Sequence, residues 1–466
     1  MELELKKIKG KGWNGLTFKL KRKDELDLLD LVTNHPDKYP FFLESSSRGN
    51  DQNRHSILFY KPKVLLKKDK TNSLDFLDEF DVLWKEKQIN QSEMFFKDKK
   101  IPFCGGWFVY LGYEIANEIE KKLEIPLSPF ALPDAFAARV YSSIIFDHID
   151  RRVFVTTDKE DSSKDFEDIL DDLSNLECKK SKKRSNGSIK IYFKGSSEEH
   201  QNQVRACIKY IYQGEIFQAN LSRLWRFKIK NNLSDVEIYR QLRKKNPSPF
   251  SGIVKYEDSS IISSSPERLI SIDGDHLQTR PIAGTRPRGA SGLLDIELSK
   301  ELINSDKEKA EHLMLVDLER NDISRVCNPG TVKVDEMMTI ETYAHVHHIV
   351  SNISGKKKKD IMPGDVIKSV FPGGTITGCP KVRCMQILGE LEKQGRGPYT
   401  GSFGYINHNG DMDINILIRT ILKEKCDLFF RAGGGIVADS IPQSETLETE
   451  AKANGMLKAI GSFKNE

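Results

Sequence analysis

The sequence predicts an α+β fold in which large antiparallel sheets carry flanking helices. Two observations lead there. Across the first 155 residues, short β-like runs follow one another with little helix between them. Beyond Gly195, helical stretches mix with strands that come in adjacent pairs, and the regular βαβ alternation of a doubly wound fold is missing. The chain has 466 residues, 38% of them hydrophobic, with 24 Phe and 13 Tyr, so a large core is within reach.

Residues 17–20, 39–43, 56–60, 107–111 and 142–146 read as strands. The phrase FFLES (41–45) ends one of them in a run of serines, and IPFCGGWFVYLGYE (101–114) sets a Gly pair before an aromatic strand, where backbones can approach closely. Residues 156–190 form a charged, partly helical connection, amphipathic over 166–176, with a basic run KKSKKR at 179–184. This divides the chain into an N-terminal region, 1–190, and a second region, 191–466. The second region opens with a helix over 198–213, a strand over 215–227 and a helix over 236–244. Strands at 252–256, 260–264, 269–272 and 276–279 follow, the last two joined at Gly274. Helices are expected at 365–370 and 381–389, a hairpin of 401–408 with 413–420 across Asn409-Gly410, and a strand at 427–432.

Composition excludes several classes. A net charge of +4 with 30% charged residues of mixed sign gives no electrostatic case for nucleic acid or a membrane, and the basic run reads as a solvated linker. Seven cysteines without CxxC spacing read as reduced thiols of a cytoplasmic protein. The N-terminus carries no apolar signal segment, and nowhere do eighteen apolar residues run together.

Two acidic pairs point to chemistry. In SDKEKAEHLMLVDLERND (305–322), Ala310, Leu313, Met314 and Leu318 recur at helical spacing, and Glu308 and Glu311 stand three apart on one face. Glu445 and Glu448 repeat that spacing in the last helix, after Pro442. Four carboxylates on two helices can supply oxygen ligands to Mg2+, although acidic helix N-termini are also favoured by the macrodipole alone. Glycine-rich phrases lie at PIAGT (281–285), FPGGTITG (371–378) and AGGGI (432–436), none with nucleotide-motif spacing. Gly433–Gly435 is expected to follow a strand and to offer bare N–H groups to a small carboxylate.

The order of phrases resembles a known family. SSPERL (264–269), TRPIAGTRPRG (279–289), DKEKAEHLMLVDLERND (306–322), HVHHIVS (345–351), FPGGTITGCPK (371–381), GSFGYINHNGDMDINILIRT (401–420) and AGGGIVADS (432–440) are similar to the chorismate-utilising enzymes. These comprise anthranilate synthase component I, aminodeoxychorismate synthase component I, and the isochorismate and salicylate synthases. FFLES and GGWFVYLGYE are similar to the first half of the two aminating members only.

The resemblance implies an anthranilate synthase component I-like fold with residues 191–466 as the chorismate-binding part. It implies Mg2+ held directly by Glu311 and Glu448, with Glu308 and Glu445 beside them through water. Glu267 matches the acid that protonates the departing ring hydroxyl, His348 a histidine beside the reacting ring, and Thr285 a further residue near it. Tyr399 and Arg419 match the pair that binds the enolpyruvyl carboxylate; Gly433 and Gly435 would add N–H donors, and Lys452 shares a helix face with Glu448. His345 and His347 carry no such match. Leu43, Glu44 and Ser45 resemble the LLES phrase lining a tryptophan pocket, which here reads as a pocket or a plain strand end.

Water-adding members use a lysine where this chain has Gln218, and an amide cannot deprotonate water. The implied nucleophile is therefore ammonia. Many aminodeoxychorismate synthases carry PIKGT, whose lysine is a covalent nucleophile; Ala283 stands there instead, as in anthranilate synthases. QANLS, NPSPF and SSPERL favour aminodeoxychorismate synthase component I, with anthranilate synthase component I the alternative. MDINILIRT departs from the common MDTxIxIRT through Ile414. The last expected helix ends close to Glu466, so ammonia is expected from a separate glutamine amidotransferase subunit. A non-enzymatic chorismate- or tryptophan-binding subunit would have lost the acid, the acidic pairs or the carboxylate clamp, and none is lost.

Overall fold

The computed structural model describes residues 4–21, 26–47, 54–91, 94–176, 188–230, 233–343, 346–460 and 464–465. The basic run at 179–184 and His345 lie outside the described residues.

The described strands form two large sheets, of 14 and 10 strands, and a small two-stranded one. The larger runs from Lys6–Gly10 through Trp13–Lys19, Arg152–Thr157, Ser142–Asp147, His55–Tyr60 and Phe41–Glu44. It continues through Phe250–Tyr256, Ser259–Ser265, Thr420–Glu424, Asp427–Ile436, Gln218–Lys230 and Ser188–Lys194 to Lys464–Asn465. The smaller passes from Ile282–Pro287 through Val346–Lys356, His276–Thr279, Arg268–Asp273, Met412–Asn415, Ser402–Asn407, Gly106–Leu111 and Ala135–Val140 to Lys63–Lys68. Strands from both sides of residue 190 meet in each: Phe41–Glu44 pairs with Phe250–Tyr256, and Gly106–Leu111 with Ser402–Asn407.

The aromatic runs explain why the sheets pack as they do. Successive side chains of a strand face opposite ways. Phe42 enters one core beside Tyr239, while Phe41 enters another, 4.6 Å from the Phe108 ring centroid. Such a strand is covered on both faces and so lacks polar alternation. The Gly pair makes the expected close approach: Gly106 has φ 151, and a Cβ there would lie 2.4 Å from the Ile406 carbonyl oxygen.

Two expectations are corrected. The hairpin forms across Asn409-Gly410, but its second strand ends at Asn415. The chain then crosses to the other sheet and resumes as Thr420–Glu424, with Arg419 left-handed at φ 49 in the crossing. Period-two alternation continues through the crossing, so it cannot show that the strand changes sheets. In helix Asp306–Ser324 the inward face is not Ala310, Leu313, Met314 and Leu318; Leu313 is 54% exposed. His312, Leu315, Val316, Glu319, Asp322 and Ile323 are buried instead. The polar ones bring partners. His312 Nε2 lies 2.6 Å from Ser351 Oγ, Thr279 donates to Glu319 at 2.7 Å, and Lys381 donates to Asp322 at 2.5 Å. A buried polar group so satisfied carries little penalty.

Cysteines 104, 207, 327, 379, 384 and 426 are free. Among the described residues no helix is long and apolar enough to cross a membrane.

Candidate active site

A cavity of about 230 Å³ lies where strands of both sheets meet helices Asp306–Ser324 and Pro442–Ile460. Gln218, Glu267, Thr285, Glu311 and His348 line it, as do Tyr399, Arg419, Gly433, Gly435 and Lys452. Residues more than two hundred positions apart are thus gathered at one place. Glu308, Glu445 and Glu448 are not in its lining.

Glu267 sits just beyond strand Ser259–Ser265, its carbonyl accepting from the Ile416 N–H at 3.0 Å. It is 4% exposed, and its Oε1 is buried without a hydrogen-bond partner. Burial pushes its carboxyl up to about 8, with the negative field of Glu319 adding to the rise and Thr375 and Arg419 opposing it. At neutral pH this is a protonated acid aimed into a cavity.

His348 Nδ1 lies 2.9 Å from Thr285 Oγ1 and 3.4 Å from the Gly284 carbonyl oxygen. A carbonyl only accepts, so the proton belongs on Nδ1, and Nε2 keeps a lone pair buried without a partner. Burial pushes the ring down to about 3, with Arg419 contributing, so the imidazole is neutral.

Arg419 has no ion pair or side-chain hydrogen bond among the described residues, and burial holds its guanidinium below the usual range. A desolvated, unpaired cation is costly unless an anion meets it. The Tyr399 hydroxyl lies over Gly433, where a Cβ would come within 2.8 Å of it.

Gly433–Gly435 does not follow a strand, as expected from the sequence, but lies inside strand Asp427–Ile436. Repeated glycine lowers β-propensity, yet the strand persists because it pairs with Gln218–Lys230 along its whole length. Its other edge is paired only as far as Phe430, which leaves peptide groups there without strand partners.

Three of the four acidic side chains converge on these glycines, while Glu308 lies beside Gly284. A Cβ at Gly435 would lie 3.1 Å from Glu311 Oε1, and one at Gly434 would lie 3.5 Å from both Glu445 Oε2 and Glu448 Oε1. Burial and then Glu308 raise the Glu311 carboxyl; burial, with Glu448 adding to it, raises that of Glu445. Each carboxylate nevertheless has a protein partner: Gln218 Nε2 donates to Glu311 at 2.6 Å, Ser440 to Glu445 at 2.7 Å, and Arg286 to Glu308 at 3.2 Å. Lys452 pairs with Glu448 at 2.8 Å and donates to the Gly433 carbonyl at 3.1 Å. Among the described residues no three His, Cys, Asp or Glu side chains form a metal-holding group.

Sequence reading missed Asn220, Thr375 and Arg431, which also line the cavity. Arg431 and Arg396 both donate to Glu392 at 2.8 Å; although burial opposes it, the two guanidinium groups hold that carboxyl below its usual range. The period-two rule could have found two of them: Arg431 is two before Gly433, and Asn220 two after Gln218.

Leu43, Glu44 and Ser45 line a separate cavity of about 100 Å³ with Pro249, Phe250, Phe403 and Asn415. Glu44 accepts from Tyr239 and Arg243, each at 2.7 Å. His347 faces elsewhere, bonded to Asp295 and Thr342.

The family model for chorismate binding enzymes matches residues 39–458, which includes every residue of the larger cavity. The chain belongs to that family. It is 37% identical over 441 residues to "Aminodeoxychorismate synthase component 1" of Bacillus subtilis (strain 168), covering 91% of this chain and 92% of the relative. It is 35% identical over 467 residues to "Anthranilate synthase component 1" of Aquifex aeolicus (strain VF5), covering 95% and 91%. Anthranilate synthase component I from Streptococcus pneumoniae TIGR4 superposes with a TM-score of 0.77 at 29% identity, over 94% of this chain and 95% of that one. The fold is therefore that of anthranilate synthase component I, and the chain is a chorismate-utilising enzyme.

Proposed function

We propose that this member of the family aminates chorismate with ammonia delivered by a glutamine amidotransferase subunit, in the manner of aminodeoxychorismate synthase component I. The observation that carries the reading is Glu267, its carboxyl raised by burial and its Oε1 without a partner, sharing one cavity with the unpaired Arg419. Chorismate presents carboxylates and a poor leaving hydroxyl, which need a cation and an acid respectively. Arg419 and Tyr399 would hold one carboxylate and so orient the ring. Glu267 would give its proton to the departing hydroxyl, which leaves as water while the C–N bond forms. The neutral His348, fixed by Thr285 and Gly284, would present its Nε2 lone pair to the ring.

The donor set suits Mg2+: oxygen ligands only, with the Glu311 and Glu445 carboxyls raised by burial and then by the neighbouring carboxylate of each pair. Glu311 and Glu448 would hold it directly and Glu308 and Glu445 through water, with Lys452 giving up its present contact to Glu448 and Gln218 keeping its bond to Glu311 Oε1. When bound, the ion supplies positive charge to neutralise the substrate's other carboxylate.

Gln218 in place of a lysine supports ammonia over water as nucleophile. A second reading, anthranilate synthase component I, is favoured by Ala283, which lines the cavity and offers no covalent nucleophile. Purified protein with chorismate, Mg2+ and ammonium should yield an aminated product by mass, and added aminodeoxychorismate lyase should convert it to para-aminobenzoate. Fluorescent anthranilate formed without the lyase would select the second reading. Isochorismate or salicylate formed independently of ammonium would overturn both.

A further inference from the structure

Gln218 is 3% exposed, and its Oε1 is buried with no hydrogen-bond partner; Asn220 Oδ1 is equally unpartnered. The two residues stand two apart on strand Gln218–Lys230, so their side chains share a face, and both line the larger cavity. Which end of each amide carries the oxygen is fixed by chemistry. Gln218 Nε2 lies 2.6 Å from a Glu311 carboxylate oxygen, and Asn220 Nδ2 lies 3.2 Å from the Thr375 carbonyl oxygen. Both of those groups can only accept, so the nitrogens must face them and the oxygens must face away.

The neighbouring strand keeps this space open. A Cβ at Gly433 would lie 2.7 Å from Asn220 Oδ1, and one at Gly435 would lie 2.3 Å from Gln218 Nε2. Either side chain would fill the place beside the amides. Two buried acceptors without donors are costly until something donates to them.

We infer that the carboxamide oxygens of Gln218 and Asn220 form the docking place for the incoming ammonia molecule, a step that rests on the amination proposed above. A substrate carboxylate has only acceptor oxygens and is repelled there. Ammonia offers three N–H donors and one lone pair. Two N–H groups held by the amides leave the lone pair free to point at the ring. Water can occupy the same place, but neither amide can take its proton, so it stays a weak nucleophile; ammonia needs no deprotonation before attack. The balance then closes within the site. The nitrogen lone pair becomes the C–N bond, the C–O bonding electrons leave with the hydroxyl, and Glu267 supplies the proton that makes it water. The ring ammonium so formed gives up one proton, which restores the acid.

The test uses the full chain with ammonium chloride as nitrogen source, varying ammonium and chorismate separately. Asn220→Leu keeps the bulk and removes the acceptor, so the KM for ammonia should rise about tenfold, the scale of one hydrogen bond. The KM for chorismate should stay within about twofold, as should chorismate affinity measured by fluorescence quenching. Asn220→Asp retains an acceptor and should keep the KM for ammonia closer to that of the unaltered protein. If Asn220→Leu does not fold by circular dichroism, Asn220→Ala carries the same expectation. A rise in chorismate KM with ammonia KM unmoved would show that these oxygens receive a substrate hydroxyl, and the inference fails. An unmoved ammonia KM in a folded variant fails it too. Unaltered protein with no ammonium-dependent turnover overturns the amination reading itself, which is a different result.

Discussion

Gln218 Nε2 donates to Glu311 Oε1 at 2.6 Å, tying the strand beside the cavity to the helix that carries the first acidic pair. A carboxylate has two oxygens, so a cation at Glu311 can take the one that Gln218 leaves free. Mg2+ binding at Glu311 and Glu448 should compete with the Lys452–Glu448 pair. If Glu311 and Glu448 hold Mg2+ as proposed, Glu311→Gln and Glu448→Gln each remove one anionic ligand, so each should abolish turnover at limiting Mg2+ with the fold retained. The unaltered protein should melt at a higher temperature when Mg2+ is added, and the variants should lose that response. Full activity of either variant at limiting Mg2+ would remove the acidic pairs from metal binding.

Glu267→Gln keeps shape but cannot protonate a leaving hydroxyl. The rate constant should fall by about 10²–10⁴-fold, the usual contribution of a general acid, while chorismate affinity persists. An unchanged rate constant would take Glu267 out of the mechanism.

Two buried carboxyls, Glu267 at about 8 and Glu319 at about 7, set the pH behaviour. An acid must hold its proton to donate it, so turnover should decline as pH rises through about 8. The stability sign follows from the same values. Both folded carboxyls titrate above the unfolded value of about 4.3. Their contribution is full below about pH 4.3 and is lost as pH rises through 7 and 8, because the unfolded chain releases its protons first. Glu319→Gln removes the negative charge that helps raise Glu267. The alkaline limb of kcat should move to lower pH, and the melting temperature should vary less across pH 5–8. Identical pH profiles for variant and parent would show that Glu319 does not act on Glu267.

How far the sequence could be read depended on whether a feature was local. The Asn409-Gly410 turn rests on neighbouring residues and was legible, and the Gly pair marked a close approach at Gly106 without naming its distant partner, Ile406. The crossing at 416–419 was not, although it places Arg419 in the cavity. Helix Asp306–Ser324 was legible as a helix, but its inward face was not, since His312, Glu319 and Asp322 are buried by partners far along the chain. Cavity residues matched by resemblance do converge, Glu267 with Arg419 and His348 with Thr285. Asn220 and Arg431 escaped because a polar residue on a strand looks like a surface one until period two is counted from Gln218 and Gly433, neighbours already matched to the site.

Leu43, Glu44 and Ser45 border the smaller cavity, whose walls include Phe250 and Phe403 and whose polar groups include Asn415 and Asp413. An aromatic amino acid offers matching chemistry, a ring for the phenylalanines and an ammonium for the acids. Added tryptophan should raise the melting temperature or inhibit turnover, and Ser45→Phe, which fills the space, should abolish either effect. If tryptophan changes neither property and none co-purifies, the cavity is not a tryptophan site.

On the amination proposed above, Gln218 and Ala283 together would decide the nucleophile, and the structure qualifies what a lysine would do at each place. A lysine at 218 would stand where Gln218 now meets Glu311, so its ammonium would be captured by that carboxylate and held protonated. Only when Mg2+ claims Glu311 would the amine be free to act as a base. Gln218→Lys should therefore form some isochorismate, with a yield that rises with Mg2+ concentration. Ala283 lines the cavity at 6% exposure, so a lysine there would be desolvated, which lowers its pKa and favours the nucleophilic amine. Ala283→Lys should give a covalent adduct detectable by intact mass and shift the product toward the para isomer. Product analysis of the unaltered protein is the direct check, because isochorismate or salicylate produced at a rate independent of ammonium would show that neither position governs the nucleophile.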